Sequence, residues 1–583
     1  MKIYRLSIEN FRGIQLLDWK IKSSLVCLIG PGNATKTTIL ESIYLALYPT
    51  WNLSLSDVDF HNSNVDIPIS ITVTVGELPK KLLDFYKFSE CYGGRNKNGD
   101  LSSEPISDDE NTLTIQLKVD KSLEPKWFLI SERLQEEREI SFRDRAELEV
   151  FFAGNSIDRE FVWHRGSSIS KLTTEDSEIQ LVLAKASRIA RAAIKDDDFQ
   201  ELQKVAKIVN EIANNYGVSI SNLRPALDSQ TWGIVSLHDN RVPFRLSGLG
   251  TRRLMAIGLQ SAVADNNGIL LIDEIEQGLE PYRLRNLVSQ LNPNDGLGQT
   301  FMTTHAPVVV SQMDVDEIHF VQNTLGKITI RTLADYPDLK KSLKEVPEAF
   351  LAKKTIVCEG QTELSLCESL DRVWHQLGNK RFASIGVVPL FPEISGGNKK
   401  SPEAAKALAV IGYTTMYFGD SDKPLKPSEV ELRNSEVNVI IWSDKLCTEQ
   451  RVFFDMPWAA IEDLVCGYIA CREQEMGQIE NALEVVAQHI KDFDHADNTA
   501  DAMMRTLRDI SQYKHVVSNW GTQLDERRVR EILGTTAHKN NWFKSKLHAD
   551  KFAAIVCSHI STIDSTTDLA VKLDNFKQWV YGQ

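Results

Sequence analysis

Residues 30–37 read GPGNATKT, between a short apolar run at 24–29 and a segment that places Ile39, Leu40 and Ile43 at helical spacing. A strand, a glycine-rich turn and a helix in this order are the setting of a phosphate-binding loop, where backbone N–H groups and the helix N-terminus surround phosphate oxygens. The lysine can reach the β- and γ-phosphates, and the next hydroxyl can bind Mg²⁺. The predicted nucleotide contacts are Gly30, Gly32, Asn33, Lys36, Thr37 and Thr38.

One position of this loop departs from the usual pattern. Thr35 stands where a second glycine is common. A side chain there predicts strain in the loop, and with it weaker nucleotide binding or slower turnover. Taken alone, the motif is also compatible with a Gly/Pro turn that happens to precede a lysine.

A second apolar run ends in two acids. Residues 269–274 read ILLIDE, which is typical of a buried parallel strand followed by a magnesium ligand and a water-polarising carboxylate. We therefore expect Asp273 to hold Mg²⁺ and Glu274 to activate the attacking water. The alternative is a buried strand that ends in solvated acids, and Glu276 shows that acids are common here.

Two further motifs stand in the order that an ABC-type ATPase requires. Residues 246–250 read LSGLG and open a predicted helix, and they resemble the signature motif that contacts the γ-phosphate held by a partner subunit, here through Ser247. Residues 304–307 read THAP after a predicted strand at 299–303, which matches the position of the switch histidine, His305. With the NFR triplet at 10–12, the chain up to about residue 345 resembles the SMC/RecF group of ABC-type ATPases.

A second α/β segment begins near Phe350 and carries two pairs of acids at predicted strand ends. Glu359 follows the strand 355–358, Glu363 lies one helical turn later, and Asp420 and Asp422 follow the strand 414–418. In a parallel sheet, strand ends meet on one rim, and clustered carboxylates bind hard cations such as Mg²⁺ or Mn²⁺. Either pair alone would more often be a solvated loop.

Both pairs together resemble a Toprim domain, with residues 396–399 (GGNK) similar to its glycine-rich loop. An ABC-type ATPase followed by a Toprim domain resembles the OLD (overcoming lysogenisation defect) family of nucleases, including the nuclease subunit of the Gabija system. The resemblance implies an α/β fold with the ATPase at 1–164 and 226–345, a helical dimerisation insertion at 165–225, and a Toprim domain with a helical C-terminal extension at 346–583. It also implies a further acidic ligand, for which Glu462 or Asp463 stands open, and a late catalytic lysine. Lys551 matches that lysine best, with Lys544 and Lys546 as alternatives.

Composition excludes several classes of protein. The 583 residues are 42% hydrophobic and 25% charged, as in ordinary globular chains, and the formal net charge of -14 argues against a wholly basic coat for nucleic acid. The eight cysteines form no CxxC pair, so we expect free thiols in a reducing cytoplasm. No apolar run of membrane-spanning length is present in the sequence.

The sequence thus predicts an ATP-regulated, divalent-metal-dependent DNA endonuclease, and the family resemblance implies antiphage defence. Its implied partners are the DNA substrate and a second copy or a dimer of dimers. Members of the family act alone, with a helicase, or with a retron reverse transcriptase and its DNA–RNA product, and all three alternatives stay open. The main alternative is a RecF/SMC-like repair ATPase without nuclease activity. A topoisomerase or a primase of the Toprim class would need a tyrosine domain or a zinc module, and neither is recognisable. Whether ATP activates or restrains cutting stays open.

Overall fold

The computed structural model describes residues 1–50, 53–106, 108–134, 137–154, 157–163, 167–172, 200–218, 220, 223–227, 235–264, 268–291, 298–337, 339–392, 400–493, 498–507 and 513–582. The chain divides into two compact units, Met1–Pro337 and Asp338–Gln583. Sequence analysis places that boundary between residues 345 and 346, a few residues later.

The N-terminal unit is built on one large mixed sheet. The strands of the large sheet are β1 (Lys2–Phe11), β2 (Ile14–Lys20), β3 (Leu25–Ile29), β4 (Ile69–Gly76), β5 (Tyr92–Arg95), β6 (Leu101–Ser102), β7 (Glu110–Val119), β8 (Pro125–Ile130), β9 (Arg138–Glu139), β10 (Val150–Ala153), β14 (Ile269–Ile272), β15 (Gln299–Thr303), β16 (Ile318–Thr324) and β17 (Lys327–Thr332). A small separate sheet contains β11 (Leu223–Leu227), β12 (Val235–Asp239) and β13 (Val242–Pro243). The order in the large sheet is β10-β14-β15-β3-β16-β17-β2-β1-β4-β7-β5-β6, with β8 and β9 continuing from β7.

The five strands from β10 to β16 in that order run parallel to one another. All residues of β3 and β14 are buried, as expected for strands with helices on both faces. The antiparallel half, from β2 to β6, alternates buried and half-buried residues instead. The predicted strands at 269–272 and 299–303 are confirmed to the residue.

The described helices of this unit are Lys36–Leu47, Phe85–Phe88, Phe142–Arg145, Ser168–Lys171, Gln200–Asn215, Leu249–Ala264, Pro281–Gln290 and Pro307–Val310. The first begins directly after the predicted phosphate loop, as expected. Of the predicted helical insertion at 165–225, residues 200–215 form an amphipathic helix. Residues 173–199 lie outside the described residues.

The C-terminal unit contains a four-stranded parallel sheet in the order β19-β18-β20-β21. Its strands are β18 (Lys354–Cys358), β19 (Val387–Leu390), β20 (Thr414–Gly419) and β21 (Asn438–Ile441). The strand that precedes Glu359 and the strand that precedes Asp420 are therefore direct neighbours, as the sequence predicts.

Helices cover this sheet and fill the rest of the unit. They are Leu339–Glu345, Gln361–Gln376, Phe382–Ile385, Ser401–Ile411, Glu429–Asn434, Thr448–Asp455, Trp458–Met476, Ile479–Lys491, Asn498–Leu507, Tyr513–Gln523, Glu526–Lys539, Lys546–Ser558 and Asp568–Tyr581. The predicted helical extension is confirmed, and its apolar faces form one continuous core with the sheet. Among the described residues of both units, no helix is long and apolar enough to cross a membrane.

Candidate functional site

Three parallel strand ends of the N-terminal unit meet at one edge of the sheet. β15 lies between β3 and β14, so the residues that follow these strands are neighbours. The Thr37 hydroxyl donates a hydrogen bond of 3.0 Å to Asp273 Oδ1, although the two residues are far apart in sequence. The structure thus brings together the hydroxyl and the carboxylate that were predicted to share a magnesium ion.

Lys36 lies inside the loop that precedes its helix. Its buried ammonium donates to the carbonyl oxygens of Gly30 at 2.9 Å and Pro31 at 3.0 Å. Burial lowers the pKa of Lys36, and nearby Asp273 opposes that shift. Gly30 has φ +143°, and a Cβ there would lie 2.4 Å from the Val321 carbonyl oxygen, so only glycine fits. Hydrogen bonds of Lys36 within the loop and the close approach at Gly30 therefore fix the conformation of the predicted phosphate loop.

Thr35 adopts a left-handed conformation, with φ 64° and ψ 22°, at the start of the same helix. This region costs a β-branched residue roughly 1–2 kcal/mol because Cβ approaches the following carbonyl. The strain predicted from the missing glycine is therefore present in the backbone.

Thr303, which sequence analysis did not select, organises the two acids after β14. Its hydroxyl donates to Asp273 Oδ1 at 2.7 Å and accepts the backbone N–H of Glu274 at 2.8 Å. Glu274 has φ +46° and an exposed side chain. The strand-end threonine thus fixes the Asp273 carboxylate and the Glu274 backbone, while the Glu274 side chain is exposed.

Glu276 holds the loop that carries His305. It accepts the Thr304 hydroxyl at 2.7 Å and the His305 backbone N–H at 2.6 Å. Burial, and then the charge of Lys36, lower the pKa of His305, so its ring is neutral at pH 7. A neutral ring can accept or donate one hydrogen bond at a phosphate oxygen or a water.

Arg253 is a second group that sequence analysis missed. It lies on the helix Leu249–Ala264 and is 1% exposed, and its guanidinium donates to the carbonyl oxygens of Asp273 and Glu274 and, at 2.6 Å, to Gln277 Oε1. Buried arginine with several backbone acceptors is a rigid link. It ties the signature helix to the acids after β14.

The signature segment also contacts the loop after those acids. A Cβ on Gly250 would lie 2.2 Å from the Gly278 carbonyl oxygen, so the helix start requires glycine at this close approach. Ser247 is half-buried just before that helix. Its predicted partner is a nucleotide held by a second subunit, so its role stays a prediction.

The C-terminal unit brings three predicted acids together at the rim of its sheet. Glu359, Asp420 and Asp422 each place a carboxylate oxygen within 4.8 Å of the others, and we call them the acidic cluster. Glu359 Oε2 accepts the Asp420 backbone N–H at 2.7 Å and the Tyr417 hydroxyl at 3.0 Å. Asp420 Oδ1 accepts the backbone N–H and the hydroxyl of Thr448 at 2.7 and 2.9 Å. The chemistry of this donor set fits Mg²⁺ or Mn²⁺.

Glu363 lies one turn along the next helix, as predicted, and is 1% exposed. Neither of its carboxylate oxygens has a hydrogen-bond partner among the described residues. Burial raises the pKa of Glu363 to about 7, with Lys544 opposing the shift. Burial also raises the pKa of Asp420, and the neighbouring Glu363 adds to it. Buried acids with raised pKa values that lie close together mark this rim as a candidate functional site.

A lysine and a further glutamate complete this rim. Lys544 Nζ lies 3.1 Å from Oε1 of Glu449, whose side chain is fully buried. The pKa of Glu449 is lowered because Lys544 and its hydrogen bonds outweigh the effect of burial. Among the described contacts these two residues, rather than Glu462 and Lys551, adjoin the acidic cluster. Lys551 is exposed, and its aliphatic chain packs beside Gly467 on the neighbouring helix.

Some predicted features lie outside the described residues. The glycine-rich segment 396–399 is one, and residues 173–199 of the predicted helical insertion are another. His489 accepts a hydrogen bond from Trp542 Nε1 at 3.1 Å, which gives it a structural contact.

Comparison with known proteins supports the first of the two sites. Residues 25–311, somewhat less than half of the chain, match the family model described as "AAA domain, putative AbiEii toxin, Type IV TA system". That match spans the phosphate loop, the signature segment, both acids after β14 and His305. The match supports an ATPase domain within the N-terminal unit.

Solved structures with similar folds include SMC head domains. One is the SMC head domain from Thermotoga maritima, at 13% identity over 57% of this chain and 99% of that chain, with a TM-score of 0.30. Another is the Smc head domain with an extended coiled coil bound to the C-terminal domain of ScpA derived from Pyrococcus furiosus, at 12% identity over 59% and 98%, with a TM-score of 0.35. These TM-scores are too low to carry an argument. No curated protein matches the chain.

Proposed function

We propose that the chain is an ATP-regulated, divalent-metal-dependent endonuclease that cuts DNA phosphodiesters at the rim of its C-terminal sheet. The observation that carries the proposal is the acidic cluster, in which three carboxylates from two neighbouring strands converge beside Lys544. A purely structural set of acids would gain nothing from this crowding, because like charges at close range raise one another's pKa and weaken the fold.

The residues have separate tasks in this proposal. Glu359, Asp420 and Asp422 supply the oxygen ligands, and the hydrogen bonds from Tyr417, Thr448 and the Asp420 backbone fix the directions of their lone pairs. A bound divalent ion supplies Lewis acidity and a water of lowered pKa, as in other phosphodiesterases.

Lys544 provides a largely buried positive charge beside this cluster, whereas Lys423, 3.5 Å from Asp422 Oδ2, is exposed. The pKa of Lys544 is raised because Glu449, Glu363 and Asp420 outweigh the effect of burial, so it is charged at any physiological pH. A fixed cation beside the acids would stabilise the negative charge that grows on a phosphate oxygen in the transition state. This is the role that the family resemblance assigns to a late lysine.

The ATPase domain would regulate this activity. Mg-ATP would contact Lys36, Thr37 and Asp273, with Glu274 and His305 at the γ-phosphate and Ser247 completing the site across a dimer. The resemblance to OLD nucleases favours a role in antiphage defence. The net charge of -14 is no obstacle, because bound cations and local basic residues can supply the positive field that DNA needs.

The test is a cleavage assay on supercoiled plasmid with Mg²⁺ or Mn²⁺, with and without ATP. Wild type, Glu359→Ala and Lys36→Ala are compared, with Glu368→Ala, an exposed acid on the helix after Glu359, as the matched control. Nicking that Glu359→Ala abolishes and Glu368→Ala leaves intact supports the proposal, and a loss or gain of nicking in Lys36→Ala gives the direction of nucleotide control. Cutting that survives Glu359→Ala, or ATP hydrolysis without any cutting on plasmid, linear or single-stranded DNA, favours the RecF/SMC-like ATPase instead.

A further inference from the structure

A second group of metal-ligating side chains lies next to the acidic cluster, and its chemistry differs. Cys447, Glu449 and His538 each place one ligand atom within 4.8 Å of the other two, and we call them the mixed cluster. Cys447 and Glu449 are fully buried, and the His538 side chain is 29% exposed. Sequence analysis selected none of the three.

The two carboxylate oxygens of Glu449 have different surroundings. Its Oε1 accepts the Thr362 hydroxyl at 3.2 Å and pairs with Lys544 at 3.1 Å. Its Oε2 is enclosed and receives no hydrogen bond of ordinary geometry from the described residues, and the neighbouring Cys447 thiol interacts with this carboxylate. A buried charged oxygen is costly when its hydrogen bonding is incomplete, and a cation bound here would remove that cost.

His538 presents a second atom of the same kind. Its Nε2 lies 3.6 Å from Asp422 Oδ2, a carboxylate that favours the proton on this nitrogen. The other nitrogen, Nδ1, lies 4.0 Å from Glu449 Oε2, too far for a hydrogen bond, and is likewise enclosed without a partner in the described part of the chain. Two lone pairs therefore face each other across a gap that a cation would bridge.

Cys447 supplies the third ligand from the start of a helix. It is the N-cap residue of the helix Thr448–Asp455, and its sulfur accepts the backbone N–H of Gln450. Sulfur, imidazole nitrogen and one carboxylate oxygen suit borderline ions such as Zn²⁺ or Co²⁺ and are poor ligands for Mg²⁺. Ligand atoms on one tetrahedral ion lie roughly 3.3–3.7 Å apart, so closure needs only small side-chain rotations.

We propose that Cys447, Glu449 and His538 form a binding site for a borderline transition-metal ion such as Zn²⁺, distinct from the all-oxygen acidic cluster beside it. Asp422 links the two sites, since it belongs to the acidic cluster and orients the His538 ring, as carboxylates do for metal-bound histidines. Five carboxylates lie in this region against two lysines, the largely buried Lys544 and the exposed Lys423, so the local charge accommodates a second cation. Three protein ligands leave an open position for water.

The test is titration of the full-length protein with Co²⁺ in excess Mg²⁺, which occupies hard oxygen sites. We expect a near-ultraviolet sulfur-to-cobalt charge-transfer band that saturates at one Co²⁺ per chain and is displaced by Zn²⁺. Cys447→Ser should abolish the band. His538→Gln should keep it and weaken binding by more than about tenfold, the size of effect that loss of even an outer partner can have. Cys557→Ser, a buried cysteine on another helix, and Glu359→Gln should leave the band unchanged.

The proposal is overturned if no band appears, or if the band survives in Cys447→Ser. It is equally overturned if His538→Gln binds Co²⁺ as tightly as wild type does. The His538→Gln result therefore tests the site even if Cys447→Ser fails to fold. The metal readout is independent of DNA cleavage. Cobalt binding without plasmid cutting would refute the nuclease function alone, and cutting without cobalt binding would refute only this site.

Discussion

The backbone N–H of Asp420 donates a hydrogen bond of 2.7 Å to Oε2 of Glu359. This contact joins the ends of β18 and β20, so the chain itself sets the spacing between the two carboxylates before any ion binds. Preorganised ligands of this kind avoid the cost of rearrangement when the ion arrives.

Replacing an acidic-cluster ligand should separate metal binding from folding. Asp422→Asn keeps the shape of a half-exposed side chain and removes one charge, so we expect a change in unfolding free energy of less than about 1 kcal/mol. We expect metal-dependent plasmid cutting to fall at least about a hundredfold, because a ligand to the ion is lost. Gel assays across a Mn²⁺ series measure this, and partial rescue at high Mn²⁺ is expected. Undiminished cutting would remove Asp422 from the site.

The two candidate lysines give opposite expectations. Lys544→Ala leaves Glu449 buried and unpaired, and because the lysine side chain is 31% exposed we expect about 2–3 kcal/mol of destabilisation, below the range for fully buried pairs. Cutting should fall about a hundredfold or more with it. Lys551→Ala removes an exposed side chain and should change stability by less than about 0.5 kcal/mol. Urea unfolding and plasmid assays of both variants show which lysine supports cutting. A larger loss of cutting in Lys551→Ala than in Lys544→Ala would make Lys551 the catalytic lysine.

The metal-free protein should lose stability as the pH rises. Burial raises the pKa of Glu363 to about 7 from an ordinary value of 4.5, so between these values the folded chain binds more protons than the unfolded chain. The free energy of unfolding therefore falls by about 3 kcal/mol across this window, at 1.36 kcal/mol per pKa unit, and levels off at higher pH. Glu363→Gln should reduce this slope, measured by urea unfolding in EDTA at pH 5 and pH 8. Glu368→Gln on the same helix serves as the control, and an equal slope in all three proteins would contradict the expectation.

Arg253 should matter for ATP turnover although it need not touch the nucleotide. Arg253→Lys keeps the charge but cannot reach three acceptors at once, so the carbonyls of Asp273 and Glu274 lose their fixed positions. We expect kcat for ATP hydrolysis to fall about tenfold with a smaller change in KM, the pattern of a misplaced water-activating group. Arg252→Lys, whose side chain pairs with Asp158, is the matched control. A KM effect without a kcat effect would point to a purely structural role.

Thr35 offers a test of backbone strain. Thr35→Gly and Thr35→Asn both suit the left-handed conformation at φ 64° and should raise the melting temperature relative to Thr35→Ala, which keeps a Cβ in the same place. The expected difference is about 1 kcal/mol. Thermal unfolding of the three variants measures it. If Ala equals Gly, the loop relaxes in solution.

Much of the fold can be predicted from the sequence because short local patterns mark its strands and the residues that follow them. Continuous apolar runs predict β14 and β18, and glycines and acids directly after them predict where Lys36, Asp273 and Glu359 lie. Parallel strands then bring these positions together without further information.

Lys544, an alternative in the sequence analysis, and Thr303 and Arg253, which were not selected, reach their places through long-range packing. Lys544 follows Trp542 and Phe543, which are buried in the helical extension, and this anchored aromatic pair is the only local signal that the lysine has a fixed position. Thr303 and Arg253 act on backbone groups of another segment, and hydrogen bonds of this kind leave no motif. Their partners are defined only once strand order and helix docking are known.

The hydrogen bonds of Glu276 have a consequence for communication within the ATPase domain. The Glu276 carboxylate accepts a hydrogen bond from the backbone N–H of His305. Two residues later, the Gly278 carbonyl packs closely against Gly250 at the start of the signature helix. Residues 276–278 therefore connect the backbone of His305 directly to the start of the signature helix, so the position of one of these segments limits the position of the other.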